Sequence, residues 1–270
     1  MPHACQLIES APCGEAAAAI LDVHAGRLDA VIVKTVFPAE QVSAVAEQLS
    51  ADAAELPIFH PPDGRKGLVY GWPLVASEHC FEDYLDMAER FRTACARLFG
   101  SAGEPEQTIV RALSSIAGGR PVSVPRADDG RKYLPATIRF LAHGDRLPLH
   151  YENEVFGWPG MRHLTPRLDR STLMSFYIPL VLSDRGGELV LYQSIETGAG
   201  RIGALGGDEA ARPHLEREGY DILRPDAGDL LVFNGGRRYH EVTRIEGRTR
   251  WTMGGVMALS SDERTVHFWS

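Results

Sequence analysis

His150 and Glu152 stand one residue apart in the stretch Leu-Pro-Leu-His-Tyr-Glu-Asn-Glu that runs from Leu147 to Glu154. On a β-strand, side chains alternate between faces, so His150 and Glu152 share one face and Tyr151 takes the other. One imidazole nitrogen and one carboxylate oxygen then converge on a point suited to a metal ion. Alone the pair is a weak signal, because a His-x-Glu on a strand is more often two satisfied polar side chains than a ligand pair. A metal site needs a second imidazole from a later strand, and His240 offers it. Two imidazoles and one carboxylate on one face of a metal suit non-haem Fe(II), with three positions left for a bidentate cosubstrate and dioxygen.

The surroundings of His240 strengthen this reading. A Pro-x-x-Gly-Asp turn from Pro225 to Asp229 leads into an apolar run and then the histidine. Arg250 follows ten residues after His240, with Thr252 two further on and on the same strand face. His143 and His163 lack such spacing and read as ordinary packed or surface residues. Arg244 and Arg248 read as a solvated edge.

The elements that must carry these residues are legible in outline. Leu28 to Val36 is β-branched and reads as a strand, after which Pro38 opens a helix with Val42, Val45, Ala46 and Leu49 at helical spacing. Phe81, Tyr84, Leu85, Ala88, Phe91, Ala94, Cys95 and Leu98 form one apolar helical face that Gly100 closes, and a shorter helix covers Glu104 to Ile116. From about Arg131 the pattern changes to eight short β-rich runs, at 136–142, 147–153, 171–182, 187–193, 220–225, 229–235, 239–245 and 248–259. This predicts a mainly β chain with supporting helices (α+β), a double-stranded β-helix or jelly roll with N-terminal helices packed on one sheet. No linker interrupts it. The chain therefore reads as one domain over 1–270, with helical support and a first strand in 1–130 and the catalytic core in 131–260.

Two long connections, 153–170 and 194–219, read as covers over a site. In the first, Phe156, Trp158, Met161 and Arg162 would make an apolar pocket wall with one charge. The second has a glycine-rich part without the Gly-Lys-Ser/Thr that a phosphate loop requires.

Bulk properties agree with a globular chain. The 270 residues are 44% hydrophobic and 24% charged, and the formal net charge of -8 disfavours a nucleic-acid partner. Cys5, Cys13, Cys80 and Cys95 form no Cys-x-x-Cys pair and read as reduced thiols. The N-terminus shows no secretory pattern, and no apolar run approaches the roughly 20 residues of a membrane helix. A soluble cytoplasmic chain is expected, with no membrane partner; nothing here fixes its oligomeric state.

Three segments resemble the Fe(II)/2-oxoglutarate-dependent oxygenases in their prolyl-hydroxylase-like branch. Residues 139–153 are similar to that family's approach to its His-x-Asp motif, residues 177–192 to its strand, turn and Gly-Gly-x-Leu segment, and residues 227–253 to its distal histidine and basic residue. The resemblance covers about Ala136 to Leu259, and more loosely Leu28 to Ser50.

It implies that His150, Glu152 and His240 hold iron, and that Arg250 grips the far carboxylate of 2-oxoglutarate with a bidentate fork, helped by the Thr252 hydroxyl. Two departures stand out. Glu152 is one methylene longer than the usual Asp, and Phe140 stands where many relatives use a tyrosine hydroxyl on 2-oxoglutarate. Arg139, Tyr177 or Tyr192 would replace that hydroxyl. Tyr151, Asn153, Phe156, Trp158, Arg162 and Trp251 are the expected substrate contacts.

The implied reaction consumes 2-oxoglutarate and O2 and releases succinate and CO2. It hydroxylates, desaturates or cyclises at an unactivated C–H of a small molecule, an amino acid or a natural-product intermediate. Related oxygenases halogenate when the carboxylate ligand is missing and a halide takes its place, so Glu152 favours oxygenation. The other reading is a cupin-like metal-binding protein or isomerase, consistent with Gly144-x5-His150-x-Glu152. Arg250 separates the two, since a cupin needs no basic residue at that spacing.

Overall fold

The computed structural model describes residues 6–8, 15–52, 58–59, 68–77, 80–100, 104–195 and 208–270. In chain order the strands are β1 (Gln6–Ile8), β2 (Ala30–Val33), β3 (Ile58–Phe59), β4 (Leu68–Tyr70), β5 (Val122–Ser123), β6 (Thr137–Leu141), β7 (Leu147–His150), β8 (Met174–Val181), β9 (Leu189–Ile195), β10 (Tyr220–Leu223), β11 (Leu230–Phe233), β12 (Arg238–Val242), β13 (Arg250–Leu259) and β14 (Val266–Trp269). The helices are α1 (Ala19–His24), α2 (Ala39–Asp52), α3 (Phe81–Phe99), α4 (Pro105–Ser115) and α5 (Asp208–Glu218).

The strands form two sheets. The major sheet runs β1-β2-β11-β8-β13-β6-β4-β3, with β14 paired to β13 and β5 to β14, and the minor sheet runs β10-β9-β12-β7. Apart from β1 with β2 and β5 with β14, which are parallel, the pairings are antiparallel. This is the expected jelly roll, and each of the eight strands read from the sequence after Arg131 is present. Five strands come from the first 130 residues, and β14 lies past residue 260.

Three apolar layers hold the sheets. Helix residues Val42, Val45, Leu49, Tyr84, Leu85, Ala88 and Phe91 pack on one face of the major sheet against Ile138, Phe176, Ile178, Val232 and Met253. Full burial of each such side chain contributes about 1.5–3 kcal/mol. Helix α3 makes this contact because its buried residues recur at helical spacing, with Glu82 and Asp83 in its first turn, Arg97 in its last, and Gly100 ending it at φ 52°. A second layer between the sheets comprises Ala30, Ile32, Leu141, Leu189, Leu191, Leu231, Phe233 and Val242. The third covers the outer face of the minor sheet, where Ala211 and Leu215 of α5 meet Leu149, Tyr151, Val190, Tyr192 and Tyr239.

Two connections differ from expectation. Segment 153–170 is a wall rather than an open loop: three 3-10 turns at Glu152–Gly157, Pro159–Met161 and Thr165–Arg167 bury Val155, Met161, Leu164 and Leu168. Met161 is fully enclosed in the core, so it lines no pocket. Of segment 194–219, residues 208–218 form α5, and the glycine-rich part at 196–207 lies outside the described residues. Cys5 and Cys13 also lie outside them, while Cys80 and Cys95 are free thiols. No helix among the described residues is long and apolar enough to cross a membrane.

One buried ion pair fastens the sheets together. Arg238 of β12 donates from Nε to Asp29 Oδ1 at 3.0 Å and from Nη1 to the Gln193 carbonyl, and Asp29 directly precedes β2. Both side chains are nearly inaccessible, at 5% and 9%. Removing one partner would strand a desolvated charge. Arg238→Met is expected to cost about 3–5 kcal/mol in urea unfolding; a change within about 0.5 kcal/mol would contradict this role.

Candidate iron and 2-oxoglutarate site

The two histidines come from neighbouring strands of the minor sheet. His150 is the last residue of β7, and His240 in β12 is its direct cross-strand partner. The register of β12 shifts on both sides of His240, toward β9 and toward β7. Such irregularities re-aim a side chain within a sheet. Their rings lie 4.2 Å apart at 53°.

Each ring is oriented from behind. His150 Nδ1 is 2.7 Å from the Pro148 carbonyl and His240 Nδ1 is 3.0 Å from the Arg238 carbonyl. A carbonyl only accepts, so in the neutral rings Nδ1 carries the proton and Nε2 presents its lone pair forward.

Glu152 completes the group, but not as a strand residue. The chain leaves β7 after His150 and enters a 3-10 turn at Glu152, whose N–H is donated to the Gly235 carbonyl at 2.8 Å instead of to a ladder partner. This shortened strand is the difference from the sequence reading, which ran it to Asn153, and it gives the longer side chain its own backbone placement. Glu152 Oε1 is 3.7 Å from each Nε2. That is too long for hydrogen bonds and suits a cation shared between them. One ligand atom from each of the three residues lies within 4.8 Å of the others, and among the described residues this is the only such group of three.

The protonation states also fit a metal. Burial would raise the Glu152 carboxyl, but His150 and His240 outweigh it and hold the group well below the usual carboxylate range. Burial, reinforced by the charge of His150, lowers the His240 imidazole. An ionised carboxylate and a neutral imidazole are the forms that bind metal.

The triad opens into a cavity of about 200 Å³ between the sheets. Arg139, Tyr177, Arg250 and Thr252 from the major sheet line it together with His150 and His240 of the minor sheet and Glu152 of the turn after β7. Arg250 is 4% exposed, with Cζ 5.2 Å above the Tyr177 ring, a cation–π contact. Among the described residues no carboxylate comes within 4.0 Å of its guanidinium. Burial lowers its pKa, opposed by Tyr177, yet an arginine stays protonated at any working pH. Glu188 also opposes the lowering, from beyond ion-pair distance; a buried guanidinium with no ion-pair partner is suited to receive the carboxylate of a ligand.

The remaining expected residues lie elsewhere. Tyr151 points to the outer face among the residues under α5, as strand alternation requires. Asn153 accepts the Leu173 N–H at 2.7 Å and so braces the 3-10 wall. Phe156 packs against the core, Trp158 is 37% exposed on the surface, and the Arg162 guanidinium donates to His163. Trp251 stacks on Tyr70 at 5.7 Å and meets Phe140 edge-on at 4.6 Å, on the face turned from the cavity. Phe140 therefore faces away from the site, and of the three suggested replacements Arg139 and Tyr177 line the cavity. Tyr192 instead donates to Glu241 at 2.7 Å, with Arg212 of α5 on the same carboxylate.

Sequence reasoning missed other lining residues. Leu74 and Val75 come from a 3-10 turn at Leu74–Ala76, too short for any periodicity to announce it. Trp269 comes from β14, whose alternating Val266 and Phe268 were a readable strand signal. Val155, Phe176 and Val256 complete this wall.

The fold and the donor set define a non-haem Fe(II)/2-oxoglutarate-dependent oxygenase. The family described as "Carrier-protein-independent halogenase WelO5" matches residues 8–270, and the chain belongs to it. Its fold is similar to that of a novel N-substituted L-amino acid dioxygenase from Burkholderia ambifaria AMMD. One structure of that protein gives 16% identity and a TM-score of 0.56, covering 94% of this chain and 91% of the other. A second, in complex with alpha-KG, gives 15% identity and a TM-score of 0.53 over 93% and 90% of the two chains. No curated protein sequence matches the chain.

Gly187 leaves space that the Arg250 side chain occupies. It has φ +77°, and a Cβ there would lie 2.9 Å from Arg250 Cδ, 2.8 Å from Ile245 Cδ1 and 2.7 Å from Ser183 Oγ. Gly187→Ala is expected to cost about 1–3 kcal/mol of stability and to weaken 2-oxoglutarate binding in anaerobic calorimetry. Unchanged affinity would separate Arg250 from Gly187.

Proposed function

We propose that the chain inserts oxygen into an unactivated C–H bond of a small molecule, with His150, Glu152 and His240 as the iron ligands and Arg250 as the 2-oxoglutarate anchor. The observation that carries this reading is the carboxylate of Glu152 facing both Nε2 atoms at 3.7 Å. Fe(II), 2-oxoglutarate and O2 together supply the oxidant, with one oxygen atom leaving in succinate as CO2 is released.

The protein's share is positioning and exclusion. His240 is buried while His150 and Glu152 are partly exposed, at 37% and 20%, so ligands enter from the side of His150. The Arg250 fork fixes one end of the cosubstrate, and Thr252 and Tyr177, which line the same cavity, support it. Arg139 stands opposite Thr252 in the sheet register and is a second basic group for the cosubstrate.

The family is described as a halogenase, and halide chemistry needs a coordination position free of carboxylate. Glu152 fills that position here, which favours hydroxylation, or desaturation or ring closure by the same oxidant, over halogenation.

The substrate reading follows from the walls. Leu74, Val75, Phe176, Val256 and Trp269 are apolar, and among the described residues Glu152 is the only side-chain carboxylate lining the cavity. A compact, mainly apolar small molecule, a natural-product intermediate or an amino acid with an apolar side chain, fits these walls. We also propose that the whole chain works as one domain and in the cytoplasm, the latter supported by the free thiols of Cys80 and Cys95.

The cupin-like alternative predicts no role for 2-oxoglutarate. With Fe(II) and a panel of small apolar metabolites, succinate formation is expected to depend on 2-oxoglutarate and to disappear in His240→Ala and Arg250→Ala. Full coupled turnover in Arg250→Ala would refute the anchor assignment. Product mass is expected to be the same with and without chloride or bromide; a halogenated product from the unaltered chain would overturn the oxygenation reading.

A further inference from the structure

We infer that Gly235 is a positioning residue for Glu152: having no side chain, it leaves the space through which the longer carboxylate reaches the two histidines. The inference rests on the ligand reading above and concerns a residue with no chemistry of its own.

The backbone does not require glycine at this position, since φ of Gly235 lies outside the left-handed region. The surrounding atoms do. A Cβ at 235 would run into Ser175 Oγ and would lie 2.9 Å from Glu152 Cγ and 3.3 Å from His240 Cε1. It would therefore touch two of the three proposed ligands, and also the Ser175 hydroxyl, which donates to Glu152 Oε1 at 3.4 Å. Glu152 Cγ is the methylene by which this ligand exceeds the usual Asp. The same glycine also holds the backbone of Glu152, through its carbonyl at 2.8 Å.

The turn that carries Gly235 cannot easily retreat. Asn234 is 2% exposed; its Nδ2 donates to the Val23 carbonyl at 2.7 Å, its Oδ1 accepts from Thr172 Oγ1 at 2.7 Å, and its N–H is donated to the Asp29 carbonyl at 3.0 Å. Gly236, next in the turn, donates its N–H to the Leu173 carbonyl at 2.7 Å. With the turn fixed on both sides, an added methyl must displace the side chains of Glu152 and Ser175 rather than the backbone.

The test is a double-mutant cycle read by anaerobic calorimetric titration of the metal-free protein with Fe(II). Gly235→Ala is expected to weaken Fe(II) binding about 10- to 100-fold. In the Glu152→Ala background, itself weakened, the same substitution is expected to change the affinity by less than about twofold, because no carboxylate remains to be displaced. Unchanged affinity in Gly235→Ala, or an equal loss in both backgrounds, would overturn the inference. If Gly235→Ala alone does not fold, recovery of a folded protein in Glu152→Ala/Gly235→Ala supports it and continued misfolding overturns it. If Glu152→Ala alone binds Fe(II) like the unaltered protein, the ligand assignment fails and this inference with it, a result distinct from failure of Gly235→Ala.

Discussion

The pairing of His240 opposite His150 is the constraint on which the site depends. A register slip of one residue between β12 and β7 would turn one of the two rings to the outer face of the minor sheet and part the pair. That register is held by apolar contacts on both faces. Val242 and Leu189 lie in the layer between the sheets, while Tyr239 and Leu149 lie in the layer under α5. The Arg238–Asp29 pair then ties β12 to the start of β2 in the other sheet. Hydrophobic packing sets the positions of the rings, and the carbonyls of Pro148 and Arg238 set which nitrogen faces forward.

The two sheets divide the chemistry by charge. The minor sheet and the turn after it contribute the proposed metal-binding set, with Glu152 as its anion; the major sheet contributes Arg139 and Arg250. The two charged centres are separate: no ion pair joins Glu152 to Arg250, so neither neutralises the other. Each bears a desolvation cost that a ligand of opposite charge offsets on binding. A small cavity lined by a carboxylate and two imidazoles from one side and by two guanidinium groups from the other is complementary to the proposed metal ion chelated by a dicarboxylate.

Much of this was legible in the sequence because it repeats with short periods. Alternation across eight β-rich runs disclosed the jelly roll, and helical spacing from Phe81 to Leu98 disclosed α3. His150, Glu152, His240, Arg250 and Thr252 were singled out by residue type, spacing and the family resemblance, and they line one cavity. The substrate side was not legible, for physical reasons. Aromatic residues between the ligands, Phe156 and Trp158, suggested a pocket wall, but tertiary packing sent one to the core and left the other on the surface. Leu74 and Val75, which do line the cavity, sit in a three-residue turn where no period exists to be read. Gly235 was invisible because its importance lies in the atoms that surround it, not in its own chemistry.

The central claim is that the carboxylate of Glu152 occupies the coordination position a halogenating relative would leave to halide. X-ray absorption at the iron edge tests it most directly, on the protein loaded anaerobically with Fe(II) and 2-oxoglutarate in chloride buffer. The account predicts a first shell of nitrogen and oxygen only, with a chloride scatterer absent from the unaltered protein. A chloride ligand on iron while Glu152 is intact would contradict it.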